Sequence, residues 1–161
     1  MKIIIVGAGA SGKDYLKRRF LEKGFKQSVT YTTRPPRITE SNGIDYHFID
    51  QEHFKSMIDL GEFREWNIFG EHKWYYGTTI KEFQSASIFI MSPSGVRTLD
   101  PAERKECFVI YIDISESIRR ERLNTRKDAD DPERRIKTDI EDFKDFKDFA
   151  DYDMRITNPD F

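Results

Sequence analysis

The stretch Gly7-Ala-Gly-Ala-Ser-Gly-Lys13 has the spacing G-x-x-x-x-G-K and directly follows the apolar run Ile3-Ile-Ile-Val6. Glycines so placed let successive backbone N–H groups turn inward around phosphate oxygens, and a helix starting at Lys13 adds the positive end of its dipole. A buried strand before the loop and a helix after it supply the context the motif needs. Gly7, Ala8, Gly9, Ala10, Ser11, Gly12 and Lys13 are therefore expected to hold the phosphates of a nucleotide donor such as ATP, with Lys13 following charge onto the moving phosphoryl group. The plainer alternative is a glycine-rich turn carrying a surface lysine. Asp14 stands where the motif asks for a Ser or Thr hydroxyl on magnesium. A carboxylate beside donor phosphates calls for a cation between them, which makes Asp14 the candidate Mg2+ ligand. Its plainer role is a first-turn charge that stabilises the helix dipole.

A second constellation, Thr30-Tyr-Thr-Thr-Arg-Pro-Pro-Arg37, puts two guanidiniums three residues apart on a proline-stiffened loop, with Glu40, Gly43 and Tyr46 close behind. Arginine's fixed donor fork matches phosphate oxygens bidentately, so Arg34 and Arg37 together can grip one phosphate, and Tyr46 and Tyr76 can add hydroxyl donors. A solvated basic loop is the competing reading.

These residues resemble the guanylate kinase family, whose monophosphate-binding region follows T-T-R-x-x-R-x-x-E-x-x-G-x-x-Y-x-F. Thr32-Thr33-Arg34, Arg37, Glu40, Gly43, Tyr46 and Phe48 match it at every spacing, and Phe63-Arg-Glu65-Trp66 with Tyr75-Tyr76-Gly77-Thr78 match a later family pattern. The resemblance implies an α/β P-loop NTPase fold, ATP with Mg2+, and GMP or dGMP as acceptor. It further implies that Arg34, Arg37, Tyr46 and Tyr76 hold the acceptor phosphate. Glu65 and Thr78 would read the base, with Thr30 in place of a family serine. The chemistry agrees, since guanine offers two adjacent N–H donors that one carboxylate accepts together and an O6 that a hydroxyl can reach. Arg122 and Arg126 fall where the family carries arginines at the entrance of a closing lid, Arg135 or its neighbour Arg134 matches a third, and Asn158 matches an asparagine near adenine. A solvated, salt-bridged helix face and an ordinary Asn-Pro turn are the plain alternatives for these.

Two departures keep rival readings in view. Where the family shows Asp-Ile-Asp and then Gly, this chain has Ile90-Met-Ser92 before Pro93-Ser94-Gly95, so two carboxylates are missing. Asp14 itself is shared with ribose 1,5-bisphosphate phosphokinase, a related enzyme that has no base to read. A kinase for another deoxy or modified-base nucleoside monophosphate is a further rival, and a phosphopeptide-binding module without catalysis is the rival of another class.

The elements that must position these residues follow from the pattern of apolar positions. Lys2–Val6, Ile88–Met91 and Phe108–Ile112 read as buried parallel strands, with Met154–Thr157 as a last strand and Gln27–Thr32 as another. Helices are expected from the glycine-rich loop to about Lys23, from a cap at Asp50 to Leu60, over Thr79–Ser85 and Ser94–Leu99, and after Ser115. Pro132 opens the last helix, with Ile136, Ile140, Phe143, Phe146 and Ala150 as its apolar stripe. Tyr46–Ile49 and the aromatic stretches Phe63–Trp66 and Trp74–Thr78 read as further strands. Strands alternating with helices imply a parallel sheet covered on both faces.

The expectation is one domain over 1–161, with core 1–30 and 86–161, an acceptor-binding insertion over about 31–85 and a lid over about 122–135. Its 161 residues, 35% charged, carry a net charge of -2, which gives no global pull toward nucleic acid or membrane. Cys107 is the single cysteine and excludes an intramolecular disulfide, in keeping with a cytoplasmic protein. Small-molecule nucleotides are the expected partners, and a homodimer is compatible with the sequence.

Overall fold

The computed structural model describes residues 1–70, 72–125, 131–146 and 151–161. In chain order the elements are β1 (Lys2–Gly7), α1 (Lys13–Leu21), β2 (Tyr31–Thr32), β3 (His47–Phe48), α2 (Gln51–Asp59), β4 (Phe63–Phe69), β5 (Trp74–Thr79) and α3 (Ile80–Ser85). They continue with β6 (Ile88–Ile90), α4 (Pro93–Arg97), α5 (Pro101–Lys105), β7 (Cys107–Ile112), α6 (Glu116–Thr125), α7 (Pro132–Phe143) and β8 (Met154–Ile156). Two compact units result: Met1–Phe25 with Ile88–Phe161, and Lys26–Ser87.

The first unit is a parallel sheet in the order β6-β1-β7-β8. A strand paired on both edges and covered on both faces has no polar side to show, which is why β1 and β7 read as unbroken apolar runs. On one face Ile3, Ile5, Ile88, Ile110 and Ile112 pack under Leu16, Phe20 and Leu21 of α1. Across the sheet, Tyr111 stacks on Phe143 of α7 and meets Phe146 and Tyr152 edge-on or tilted. Ile136 of α7 also packs with Leu123 of α6 and with Ala10, so both helices reach the glycine-rich loop.

The second unit holds a separate mixed sheet, ordered β3-β2-β5-β4, in which β2 runs parallel to β3 while β5 is antiparallel to β2 and β4. Its core is aromatic. Phe54 of α2 is fully buried, stacks on Phe63 at 4.4 Å and touches Tyr75 at 5.2 Å. Gly77 makes this possible, because a Cβ there would come within 2.7 Å of the Phe63 ring and 3.0 Å of Phe54. Asp50 caps α2 by accepting from His53 N–H at 2.7 Å, and Gly61, at φ +68°, follows its end.

Several boundaries differ from the sequence reading for local reasons. The strand expected over Gln27–Thr32 shrinks to Tyr31–Thr32, because the Val29 N–H bonds Glu82 Oε2 instead of a neighbouring strand. The helix expected over Ser94–Leu99 runs over Pro93–Arg97, because Ser92 caps it by accepting from Gly95 N–H at 3.1 Å. An additional helix, α5, begins at a capping box of Asp100 and Glu103. Ile140 is 52% exposed and leaves the apolar stripe of α7. Of the lid expected over about 122–135, residues 126–130 lie outside the described residues, while Asp131 caps α7. Ala150 also lies outside them.

Removing the Phe54 ring leaves a cavity that its stacked neighbours cannot close. Phe54→Ala is therefore expected to cost about 3 to 5 kcal/mol, read from the shift in urea midpoint at unchanged slope.

Candidate active site

The sharp turn after β1 follows from crowding at Gly7. A Cβ on this residue would lie 2.5 Å from Ser11 Oγ and 2.9 Å from the Ile112 carbonyl, so the loop closes only over glycine. Ala10 (φ 60°) and Gly12 (φ 107°) then take left-handed conformations, and Gly12 stands at the N-terminus of α1. Lys13 folds over the same loop, its Nζ donating to the Gly7 and Ala8 carbonyls at 2.7 and 2.8 Å. Arg122 donates to the Ala10 carbonyl at 3.2 Å and to the Pro159 carbonyl at 2.9 Å, tying α6 to both the loop and the final turn. Arg135 reaches the loop as well: its Nη2 lies 3.5 Å from where a Gly9 Cβ would be. A cavity of about 500 Å³ opens beside the loop, lined by Ala10, Gly12, Tyr15, Arg122, Pro159 and Phe161, with Asp160 also on its wall.

Three predicted residues of this unit stand apart from that cluster or outside the description. Asp14 is 72% exposed in the first turn of α1, with Lys17 Nζ 3.5 Å away. Asn158 turns its Oδ1 back to accept from Asp160 N–H at 3.0 Å, the local turn that Asn-Pro makes anywhere. Arg126 lies outside the described residues.

In the second unit, Arg34 is 7% exposed in its side chain and its Nη2 donates to both oxygens of Glu40, at 2.8 and 2.9 Å. Its guanidinium also lies over the rings of Tyr46 (5.3 Å) and Phe48 (5.7 Å), and the Tyr46 and Tyr76 rings meet edge-on at 6.2 Å. The Arg37 N–H adds a bond to Glu40 Oε2 at 2.8 Å, and the Arg37 side chain reaches Oε1 at 3.5 Å. Burial pushes the Glu40 carboxyl up, but the hydrogen bonds from Arg34 and Arg37 outweigh it and hold the group below the usual carboxylate range. Of the predicted acceptor residues, Arg34 and Arg37 thus meet at one internal carboxylate, with Tyr46 against Arg34 and Tyr76 against Tyr46.

Glu65 and Thr78 face each other across β4 and β5. Burial pushes the Glu65 carboxyl up, opposed by hydrogen bonds from the Thr78 hydroxyl and backbone and by the charge of Arg64. Thr30 enters β2 with its carbonyl accepting from His47 N–H at 2.9 Å. Thr32 and Thr33 stitch this segment to Tyr75: Thr32 Oγ1 donates to the Tyr75 carbonyl and Tyr75 N–H donates to Thr33 Oγ1, both at 2.9 Å.

Sequence reasoning assigned no role to Glu40 and overlooked Arg119 and Asp139. The signal for the last two was helical spacing, since Arg119 precedes Arg122 by one turn on α6 and Asp139 follows Arg135 by one turn on α7. No group of three or more His, Cys, Asp or Glu side chains suited to a metal ion occurs among the described residues. No helix among them is long and apolar enough to cross a membrane.

The family model described as guanylate kinase matches residues 1–161. A protein named guanylate kinase from Geobacter metallireducens is 34% identical over 137 residues, covering 80% of this chain and 66% of that protein. Another from Oleidesulfovibrio alaskensis is 32% identical over 143 residues, covering 84% and 68%. One from Thermosynechococcus vestitus is 45% identical over 78 residues, covering 47% and 40%. The chain thus spans from two fifths to about two thirds of the length of these relatives. Among solved structures, a guanylate kinase from Anaplasma phagocytophilum superposes with a TM-score of 0.71 at 22% identity, over 98% of this chain and 76% of that one, and so shares its fold.

The depressed Glu40 pKa makes a signed prediction for stability. Its contribution is present above the unfolded carboxylate value of about 4.3 and is lost as pH falls through the lower folded value. Glu40→Gln is expected to lower stability by about 1 to 3 kcal/mol at neutral pH. The gap from the parent closes in acid, as urea unfolding at a series of pH values would read.

Proposed function

Because this chain belongs to the guanylate kinase family, we propose that it is an ATP-dependent kinase of GMP or dGMP. The observation that carries this reading is the shared sheet of the second unit, where the Glu65–Thr78 pair and the Arg34–Tyr46–Tyr76 cluster are built on adjoining strands and their loop. An accepting carboxylate and a phosphate-binding cationic cluster in one unit match in kind the two ends of a guanine monophosphate. Adenine lacks the N1 proton and the O6 that such a site reads.

The glycine-rich loop holds the donor's phosphates with its backbone N–H groups, and Lys13 leaves the Gly7 and Ala8 carbonyls to follow the moving charge. Arg34 and Arg37 hold the acceptor phosphate, and the Thr78 hydroxyl keeps the Glu65 carboxylate aimed at the base. An oxygen of the acceptor phosphate attacks the γ-phosphorus, the bond to the β–γ bridging oxygen breaks, and ADP leaves with that electron pair. No protein nucleophile takes part, because the attacking oxygen is already anionic; the residues position the reactants and neutralise charge. Arg122 and Arg135, both at the loop, supply cations for that charge, and Arg126 is a third candidate.

Magnesium prefers one or two carboxylates together with phosphate oxygens and water. Asp14, exposed next to Lys13, fits that donor set, whereas Ser92 is engaged as a helix cap. Bound magnesium would neutralise charge on the β- and γ-phosphates.

A coupled ADP-release assay over nucleoside monophosphates and ribose 1,5-bisphosphate tests the reading. GMP or dGMP is expected to be the preferred acceptor with little turnover of AMP, and preference for ribose 1,5-bisphosphate would overturn it. Glu65→Gln should lose about tenfold or more of the GMP over AMP selectivity, the scale of one hydrogen bond to a charged group. The parent's kcat/KM for GMP should fall in acid through the free-enzyme Glu65 pKa, which burial places above the ordinary value of about 4.3. Glu65→Gln removes that limb.

Asp14→Ala should raise the magnesium concentration giving half-maximal rate while leaving the GMP KM unchanged. Superimposable magnesium titrations for variant and parent would defeat the metal-ligand role.

A further inference from the structure

Gly9 sits mid-loop between Gly7 and Lys13, and its N–H does not point into the cradle's own backbone. It donates to Asp139 Oδ2 of α7 at 2.9 Å. The same oxygen accepts from Nη1 of Arg119, a buried side chain of α6, at 3.0 Å. Arg119 is itself fixed, its Nε donating to the Ile114 carbonyl at 3.2 Å and its Nη1 lying 3.5 Å from the Gly9 carbonyl. The approach is close enough that a Cβ on Gly9 would stand 3.1 Å from Asp139 Oδ2. The Asp139 side chain itself is only 17% exposed.

A carboxylate against a loop meant for phosphate is unfavourable unless something offsets its charge. Arg119 does so, and the pair then acts on the loop through a single oriented bond. We propose that Asp139 is a positioning residue for the donor loop: held by Arg119, it fixes the orientation of the Gly9 peptide so that the remaining loop N–H groups are preset for the donor's phosphates. The proposal rests on the reading of this loop as the ATP site. Asp139 touches neither nucleotide; it acts through Gly9.

Removing only one member of a buried pair strands the other's charge, whereas replacing both with uncharged groups spares the fold. Two double variants exploit this. Arg119→Leu with Asp139→Asn keeps an oxygen that can accept from Gly9, and Arg119→Leu with Asp139→Ala does not. Displacement of a fluorescent ATP analogue, amide hydrogen exchange at Gly9 and the KM for GMP are measured for both and for the parent. The Asn double variant is expected to bind ATP within about twofold of the parent, and the Ala one about fivefold more weakly, the scale of one neutral hydrogen bond. Gly9 exchange should be faster in the Ala variant alone, with the GMP KM unchanged throughout. Equal ATP affinity in the two double variants would overturn the proposal and leave the pair a purely structural one. A parent that phosphorylates no nucleotide and binds no ATP would instead remove the donor-site reading, and the proposal with it. Should either double variant fail to fold, the single variants Asp139→Asn and Asp139→Ala give the same contrast, since both retain Arg119.

Discussion

A place with no room for a side chain organises the first unit. β1 is paired on both edges, so the chain leaving it has to rise out of the sheet within one residue, and at Gly7 the Ser11 hydroxyl and the Ile112 carbonyl close the space on either side. The tight turn that follows aligns N–H groups along a short arc. The left-handed Ala10 and Gly12, the start of α1 and the reach of Lys13 back over the loop all depend on that turn. Packing in the sheet and the chemistry of the loop are therefore one constraint seen at two distances.

The two units share a device even though their folds differ. In each, a carboxylate sits inside a loop rich in donors and is itself held by arginine: Asp139 with Arg119 at the glycine-rich loop, Glu40 with Arg34 and Arg37 at the second loop. An unpartnered donor in a partly buried loop is expensive, and water satisfies it only at the cost of order. An internal anion meets the same need while leaving the loop shaped for an external one. The Glu40 carboxyl, bonded by Arg34 and Arg37, is held below the usual carboxylate range despite its burial.

Much of this was legible in the chain. The buried runs at Ile3 and Phe108, the glycine spacing and the Thr-Thr-Arg loop each carry their signal in consecutive residues, so local chemistry determines them. Gln27–Thr32 misled because β-propensity is a statement about surroundings, and Glu82 from another element took the Val29 N–H that a strand would have used. The second sheet was read only as separate strands, since the pairing of β4 with β5 and of β5 with β2 joins segments whose partners their own composition does not name. Arg119 and Asp139 went unseen for a related reason. As isolated charges on helices they look like solvated surface, and only the approach of α6 and α7 to Gly9 makes them otherwise.

The contacts that shape the two loops differ in how far they reach along the chain. Arg34 and Glu40 are separated by 6 positions, whereas the bond from Gly9 to Asp139 spans 130 and that from Arg122 to Ala10 spans 112. Closing a short loop forfeits little chain entropy, and sequence-distant contacts form late. During synthesis from the amino terminus, the arginine loop can organise once β5, which carries Tyr75 and Tyr76, has emerged. The glycine-rich loop, although made first, acquires its bracing only when α7 is complete. A nascent chain would thus be shaped for its phosphate acceptor well before the loop made earliest is braced for a donor, an order of maturation opposite to the order of translation.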